Sequence, residues 1–244
     1  MSVGTGFAVG ASLAFGPRNM NASLVNQSVA TAAPLRRLRD VASLLARGAC
    51  VLGLAVSAAA AGAQATVTLY GGARGGGDFE DAGGNGNTYK LKSGAAASAS
   101  VDWLLDDGRV GQVFYSFQRS SLPGKAFGQP TDVSVNISYL HIGGRAYFEG
   151  DVRTGGGYVV GGLGATFLSP GLGGLSDEVR ASANVGVGWD WPLARNIALR
   201  TELRGYWTFI NTSGQLFCSG GCVVSIRADS LIQAEAMVGV SIGF

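Results

Sequence analysis

The segment Leu231-Ile-Gln-Ala-Glu-Ala-Met-Val-Gly-Val-Ser-Ile-Gly-Phe244 alternates from end to end. Ile232, Ala234, Ala236, Val238, Val240, Ile242 and Phe244 fall on one side. Gln233, Glu235, Gly239, Ser241 and Gly243 fall on the other, with Met237 the single apolar residue among them. A period of two residues is a β-strand with one apolar face and one polar face. The rest of the chain must supply neighbours that accept both faces.

Composition says what those faces meet. Charged residues make up 14% of the chain and hydrophobic ones 47%, so part of the surface is not built for water. Outside residues 48–63 there is no long apolar run, so no spanning helix is available. A chain this apolar that crosses a bilayer without such a helix must do so as a closed barrel, which leaves no backbone group unpaired.

Residues 1–65 read as a secretory signal peptide that is removed. Arg36, Arg37, Arg39 and Arg47 precede the apolar run from Gly48 to Ala63, and Ala63-Gln64-Ala65 is an A-x-A cleavage site. The leader is long, and Met20 is an alternative start. Cys50 sits in Arg-Gly-Ala-Cys, which does not resemble a lipoprotein box. The leader carries five Arg and one Asp. Residues 66–244 therefore keep 13 of the 18 basic and 15 of the 16 acidic residues, a net charge of −2. The basic balance of the whole chain belongs to the leader and gives no support to nucleic-acid binding. Cys218 and Cys222 remain, an even count after an export signal, which predicts a disulfide between them. A zinc site would need further ligands, and the one histidine, His141, is distant in sequence.

Seven further segments repeat the alternation: 66–74, 89–105, 109–119, 132–148, 158–168, 180–191 and 197–209. The apolar sets include Val113, Tyr115 and Phe117; Val133, Val135, Ile137 and Tyr139; and Leu199, Leu203, Trp207 and Phe209. Gly143-Gly144 is read as a bulge. The connections alternate long and short, with long loops at about 75–88, 120–131, 169–180 and 210–224. This is the plan of an eight-stranded antiparallel transmembrane up-and-down β-barrel. Trp103, Tyr139, Tyr147, Phe167, Trp189, Trp191, Trp207 and Phe209 lie near strand ends, as interfacial girdles require. A soluble lipocalin-type barrel is the competing reading, with its polarity turned inside out.

Two stretches resemble a known family. The terminal strand ending in Phe244 and the run Tyr158-Val-Val-Gly-Gly-Leu-Gly-Ala-Thr-Phe-Leu-Ser-Pro170 are similar to the small outer-membrane β-barrels that include the OmpA membrane domain, OmpX and OmpW. The resemblance covers residues 66–244 and rests on pattern. It implies a place in the outer membrane of a Gram-negative bacterium, among lipid and lipopolysaccharide. Phe244 would be the C-terminal signal read by the barrel-assembly machinery.

An eight-stranded barrel encloses room mainly for side chains, so inward charges must pair. Arg200, Glu202, Arg204, Glu235 and Asp102 are expected to form an internal network, with Arg204 near Glu235 and with Arg200 and Asp102 toward the periplasmic end. It is either a polar plug or a gate. His141 is expected near the lipid-facing side, with Ser138 on the opposite face, so no catalytic triad assembles and no enzyme is expected. The glycine runs are not phosphate loops. No cofactor or metal is called for. Lys90 and Lys92 lie toward the outer end, where they would either meet lipopolysaccharide phosphates or be solvated. The expected function is a structural or surface-interaction role through the four external loops, with an unknown extracellular ligand. The alternative is a narrow, porin-like channel or an OmpW-like transporter of small or hydrophobic molecules.

Overall fold

The computed structural model describes residues 65–81, 88–127, 129–210, 226–227 and 230–244. The alternating segments form β1 (Ala65–Gly76), β2 (Gly94–Asp106), β3 (Arg109–Leu122), β4 (Val133–Tyr147), β5 (Gly156–Pro170), β6 (Glu178–Ala194), β7 (Ile197–Phe209) and β8 (Ser230–Gly243). Each pairs antiparallel with its sequence neighbours, and β8 pairs with β1 to close the barrel. Closure gives every strand two partners, so no edge is left open. Residues 1–64 of the expected signal peptide and both cysteines of the expected disulfide lie outside the described residues, while Ala65, the last residue of that expected leader, opens β1.

The register fixes the geometry. A walk across the strands from Thr66 passes Asp102, Gln112, Gly143, Gly162, Asn184, Tyr206 and Gln233 and returns to β1 at Gly76, ten residues along from its start. For eight strands at ordinary spacing this stagger means a tilt of roughly 40°. The thirteen residues of β7 then cover roughly 30 Å along the axis, the thickness of a bilayer's hydrocarbon core.

Alternation dictates the two surfaces. Leu69, Ile142, Leu163, Val185, Leu203 and Val238 are exposed on the outer wall. Trp103, Phe148, Trp191 and Phe244 ring the end that carries the short turns and both ends of the barrel chain. Phe167, Trp207 and Phe209 ring the other. Tyr139 and Tyr147, expected in these girdles, point into the lumen instead.

The structure departs from the sequence reading in three places, on two strands. The segment expected as one strand over 89–105 breaks at residues 91–93. Its first part, Thr88–Lys90, joins Asp78–Asp81 and Ile226–Arg227 in a small sheet beyond the barrel rim. Leu91 then turns into the core rather than toward lipid. In β4 no bulge occurs at Gly143-Gly144, because pairing runs unbroken through both glycines on either side. And the apolar set of β4 faces inward: Val133, Val135, Ile137 and Tyr139 are buried, while Leu140 and Ile142 face out.

The third departure has a physical cause. At the end carrying the long loops, β3 and β4 rise above the apolar band, where the outer wall meets water and the interior must be a dry core. Arg119 and Asn136 are therefore outside, hydrogen-bonded at 3.3 Å. Leu122, Val133, Val135 and Ile137 pack inside with Phe79, Leu91, Ala126, Leu168, Ile210 and Leu231. Ala126 sits on a 3-10 turn, Gly124–Phe127, that bends the loop after β3 over this core.

At the opposite end the turn between β4 and β5 is closed by Asp151. Its carboxylate accepts from the backbone N–H groups of Thr154 and Arg153 and from the Thr154 hydroxyl. Hydrogen bonds from the Thr154 amide, then the Thr154 hydroxyl and the Arg153 amide, hold Asp151 below the usual carboxylate range. Gly150 and Gly155 supply the positive φ (74° and 72°) that the turn needs.

Candidate functional site

Positions of one parity on each strand converge in the lumen, and the sequence places four arginines and four carboxylates there. Buried charges persist only when paired. Arg74, Arg145, Arg200 and Arg204, with Asp102, Asp190, Glu202 and Glu235, are all buried, and they sort into three tiers.

The lowest tier, nearest the short turns, is a quartet. Arg200 donates from Nε to Asp190 Oδ1 (2.6 Å) and from Nη1 to Asp102 Oδ2 (2.8 Å). Arg145 meets the same two carboxylates, at 3.1 Å to Asp102 and 2.9 Å to Asp190. Thr68 and Tyr147 complete the ring, the latter through a hydrogen bond from its hydroxyl to Asp190.

The middle tier is Arg204 with Glu202, at 2.6 Å. Arg204 also donates to Asn184 Oδ1 (3.3 Å) and Gln112 Oε1 (3.0 Å), and its guanidinium lies 3.7 Å over the Phe114 ring. Gln112 in turn donates to Asp102 at 2.8 Å, tying this tier to the one below.

The upper tier is Arg74 with Glu235. Arg74 reaches Glu235 Oε2 through Nε (2.9 Å) and Nη2 (2.7 Å). Ser98 donates to Oε1 at 2.8 Å, and Tyr206 donates to Oε2 at 2.7 Å. Arg74 also donates to Ser116. Its guanidinium lies 4.8 Å from the Tyr139 ring and 5.0 Å from that of Tyr206. Above it lies the apolar core of Phe79, Leu91, Leu122, Val133, Val135, Ile137 and Leu231. Among the described residues, the three tiers and the apolar cluster above them occupy successive levels of the lumen.

All five residues expected in the network face the lumen, but one pairing differs. Arg204 and Glu235 are register neighbours on β7 and β8, yet their side chains part: Glu235 takes Arg74 and Arg204 takes Glu202. Three members were missed. Arg74 and Asp190 had the inward parity that could have found them. Arg145 was hidden by the bulge assumed just before it.

His141 corrects another expectation. It faces the lumen rather than lipid, with Nε2 2.9 Å from Ser182 Oγ, while Ser138 is on the outer wall, where it accepts from Tyr115 at 3.3 Å. Lys90 and Lys92 are exposed at the long-loop end. Phe244 is exposed, and its N–H donates to Ala65 O at 2.9 Å, fastening the chain's last residue to β1. Cys218 and Cys222 lie outside the described residues.

A closed barrel with an apolar outer band and a charged, filled interior is a transmembrane β-barrel of the up-and-down class. Among solved structures the chain is similar to Neisserial surface protein A, with a TM-score of 0.49 and 15% identity over 74% of this chain and 97% of that one. It is similar also to the outer membrane protein AlkL (0.47, 14%, 74% and 90%). A third is the outer membrane protein OprG from Pseudomonas aeruginosa (0.45, 13%, 75% and 96%). No family model and no curated protein matches the chain.

Proposed function

We propose that the chain is a bacterial outer-membrane protein whose barrel is a sealed scaffold and whose activity lies in its external loops. One observation supports the reading: among the described residues, three tiers of paired charges and an apolar cluster stack along the lumen. With the interior closed, the surfaces left for a partner are the loops between β1 and β2, β3 and β4, β5 and β6, and β7 and β8. Loops on a rigid frame are where recognition generally sits. In this reading Lys90 and Lys92 meet lipopolysaccharide phosphates as point charges, and Phe244 is read by the assembly machinery. The channel and transporter alternatives need an open or apolar passage, which the paired charges oppose.

Purified protein in a planar bilayer at neutral pH tests the seal. The expected result is no stepwise conductance. A reproducible channel whose conductance changes with Arg204→Ala would overturn the reading. The same preparation floated on vesicles with and without lipopolysaccharide reads the lysine contacts. Lys90→Glu/Lys92→Glu should lower recovery only when lipopolysaccharide is present, and unchanged recovery would remove those contacts from the proposal.

A further inference from the structure

Four arginines and four carboxylates of the described lumen balance one another, which leaves His141 as the basic side chain there with no carboxylate partner. Its Nε2 is engaged by Ser182, and its Nδ1 has no hydrogen-bond partner, although the residue is 2% exposed. The ring lies on that of Tyr139 (5.6 Å between centroids, 18° between planes) and beside that of Tyr206 (6.0 Å). Both tyrosines also hold the Arg74 guanidinium.

The groups facing His141 can be taken strand by strand. On β4 itself the neighbours are Tyr139 above and Arg145 below. β6 brings Ser182 and Asn184, neither of which ionises. β5 brings Gly164, where a Cβ would stand 1.9 Å from the Leu140 carbonyl oxygen and 2.9 Å from the His141 Cδ2, so both the neighbouring strand and the ring pack against its bare Cα. β7 brings Arg204 and Tyr206, and β1 brings Arg74. The charges acting on the ring are those of Arg204 and Arg74. The carboxylate at this level, Glu235 on β8, is already engaged by Arg74, Ser98, Ser116 and Tyr206.

We infer that His141 is a proton sensor built into the upper plug: protonating it unlocks the Arg74–Glu235 tier. An imidazolium at this place is a fifth cation against four carboxylates. It gains a second N–H donor with no acceptor to meet it, and it stands beside two guanidinium groups in a medium that screens poorly. The ring must leave the stack. Tyr139 then loses its support, and with it go the hydrogen bond from its hydroxyl to Gln233 (2.8 Å) and its face against Arg74. The neutral ring, in contrast, needs only one donor and one acceptor.

The inference rests on the sealed-lumen reading, and one bilayer experiment separates the two. Conductance of wild type, His141→Phe and His141→Gln is recorded at pH 7.5 and pH 3.5. Phenylalanine keeps the flat ring and removes the proton site; glutamine keeps a donor and acceptor for Ser182. Wild type closed at pH 7.5 and at least tenfold more conductive at pH 3.5, with both variants closed throughout, is the expected outcome. Wild type open at pH 7.5 would sink the sealed lumen itself. Wild type closed at both values, or variants that open with acid as wild type does, would sink the sensor and leave the seal standing. Near-ultraviolet circular dichroism of the tyrosines at both pH values checks that each variant is folded.

Discussion

Glu235→Ala is expected to destabilise the barrel by about 3–5 kcal/mol, because it strands the Arg74 guanidinium in a site with no other carboxylate. Arg74 is 1% exposed and Glu235 0%, so water cannot take over for either. The lost partners extend further: Ser98, Ser116 and Tyr206 all converge on the same carboxylate. Glu235→Gln keeps the shape and one acceptor, and should cost less than the alanine change. Arg74→Met in the Glu235→Leu background should recover much of the loss, since replacing a buried pair by apolar groups is far cheaper than halving it. Urea unfolding in lipid vesicles, followed by tryptophan fluorescence and by heat-modifiable migration, measures all four. A single substitution at Glu235 with an effect below about 1 kcal/mol would show that the pair does not hold the upper tier.

Arg200→Ala is the second large effect, and it differs in kind. Arg200 bridges Asp102 and Asp190 within the quartet, and its removal leaves two aspartates sharing Arg145. The expected cost is again about 3–5 kcal/mol. Conductance at neutral pH should nevertheless stay at the closed level, because Arg204–Glu202, Arg74–Glu235 and the apolar cap stand above the damaged tier. A stable Arg200→Ala protein that conducts would place the seal in the lowest tier alone.

The strand plan was readable in the sequence wherever a strand lies wholly within the apolar band. β8 and β7 alternate strictly because one face must meet lipid and the other a charged lumen, and Arg200, Glu202, Arg204 and Glu235 follow from parity. β4 was misread because it crosses two environments. Above the band its outer residues, Ser134, Asn136 and Ser138, face water or the headgroup region, and its inner ones form a core of the soluble kind. The same alternation therefore carries the opposite meaning along one strand. An apolar-outward rule applied to Val133, Val135 and Ile137 turned His141 toward lipid as well.

Partner choice across the lumen was not readable at all. Arg74 meets Glu235 because β1 closes on β8 with a ten-residue stagger, a property of the whole cylinder that no local stretch contains. Adjacent register does not decide it either: Arg204 stands opposite Glu235 but bonds within its own strand, to Glu202 two residues away. The cap shows the same limit, since Phe79, Leu91 and Ala126 come from loop segments whose packing depends on where the rim lies.

Spin labels placed singly at residues 139 to 142 of β4, in protein reconstituted in lipid bilayers, test the polarity of the barrel most directly. Labels at Leu140 and Ile142 should be reached freely by oxygen dissolved in the acyl chains and poorly by a water-soluble nickel relaxant. Labels at Tyr139 and His141 should be reached poorly by either, as the packed lumen requires. Oxygen access at 139 and 141 with protection at 140 and 142 would contradict the account, because it would put the tyrosine–histidine stack in lipid and empty the lumen of its upper plug.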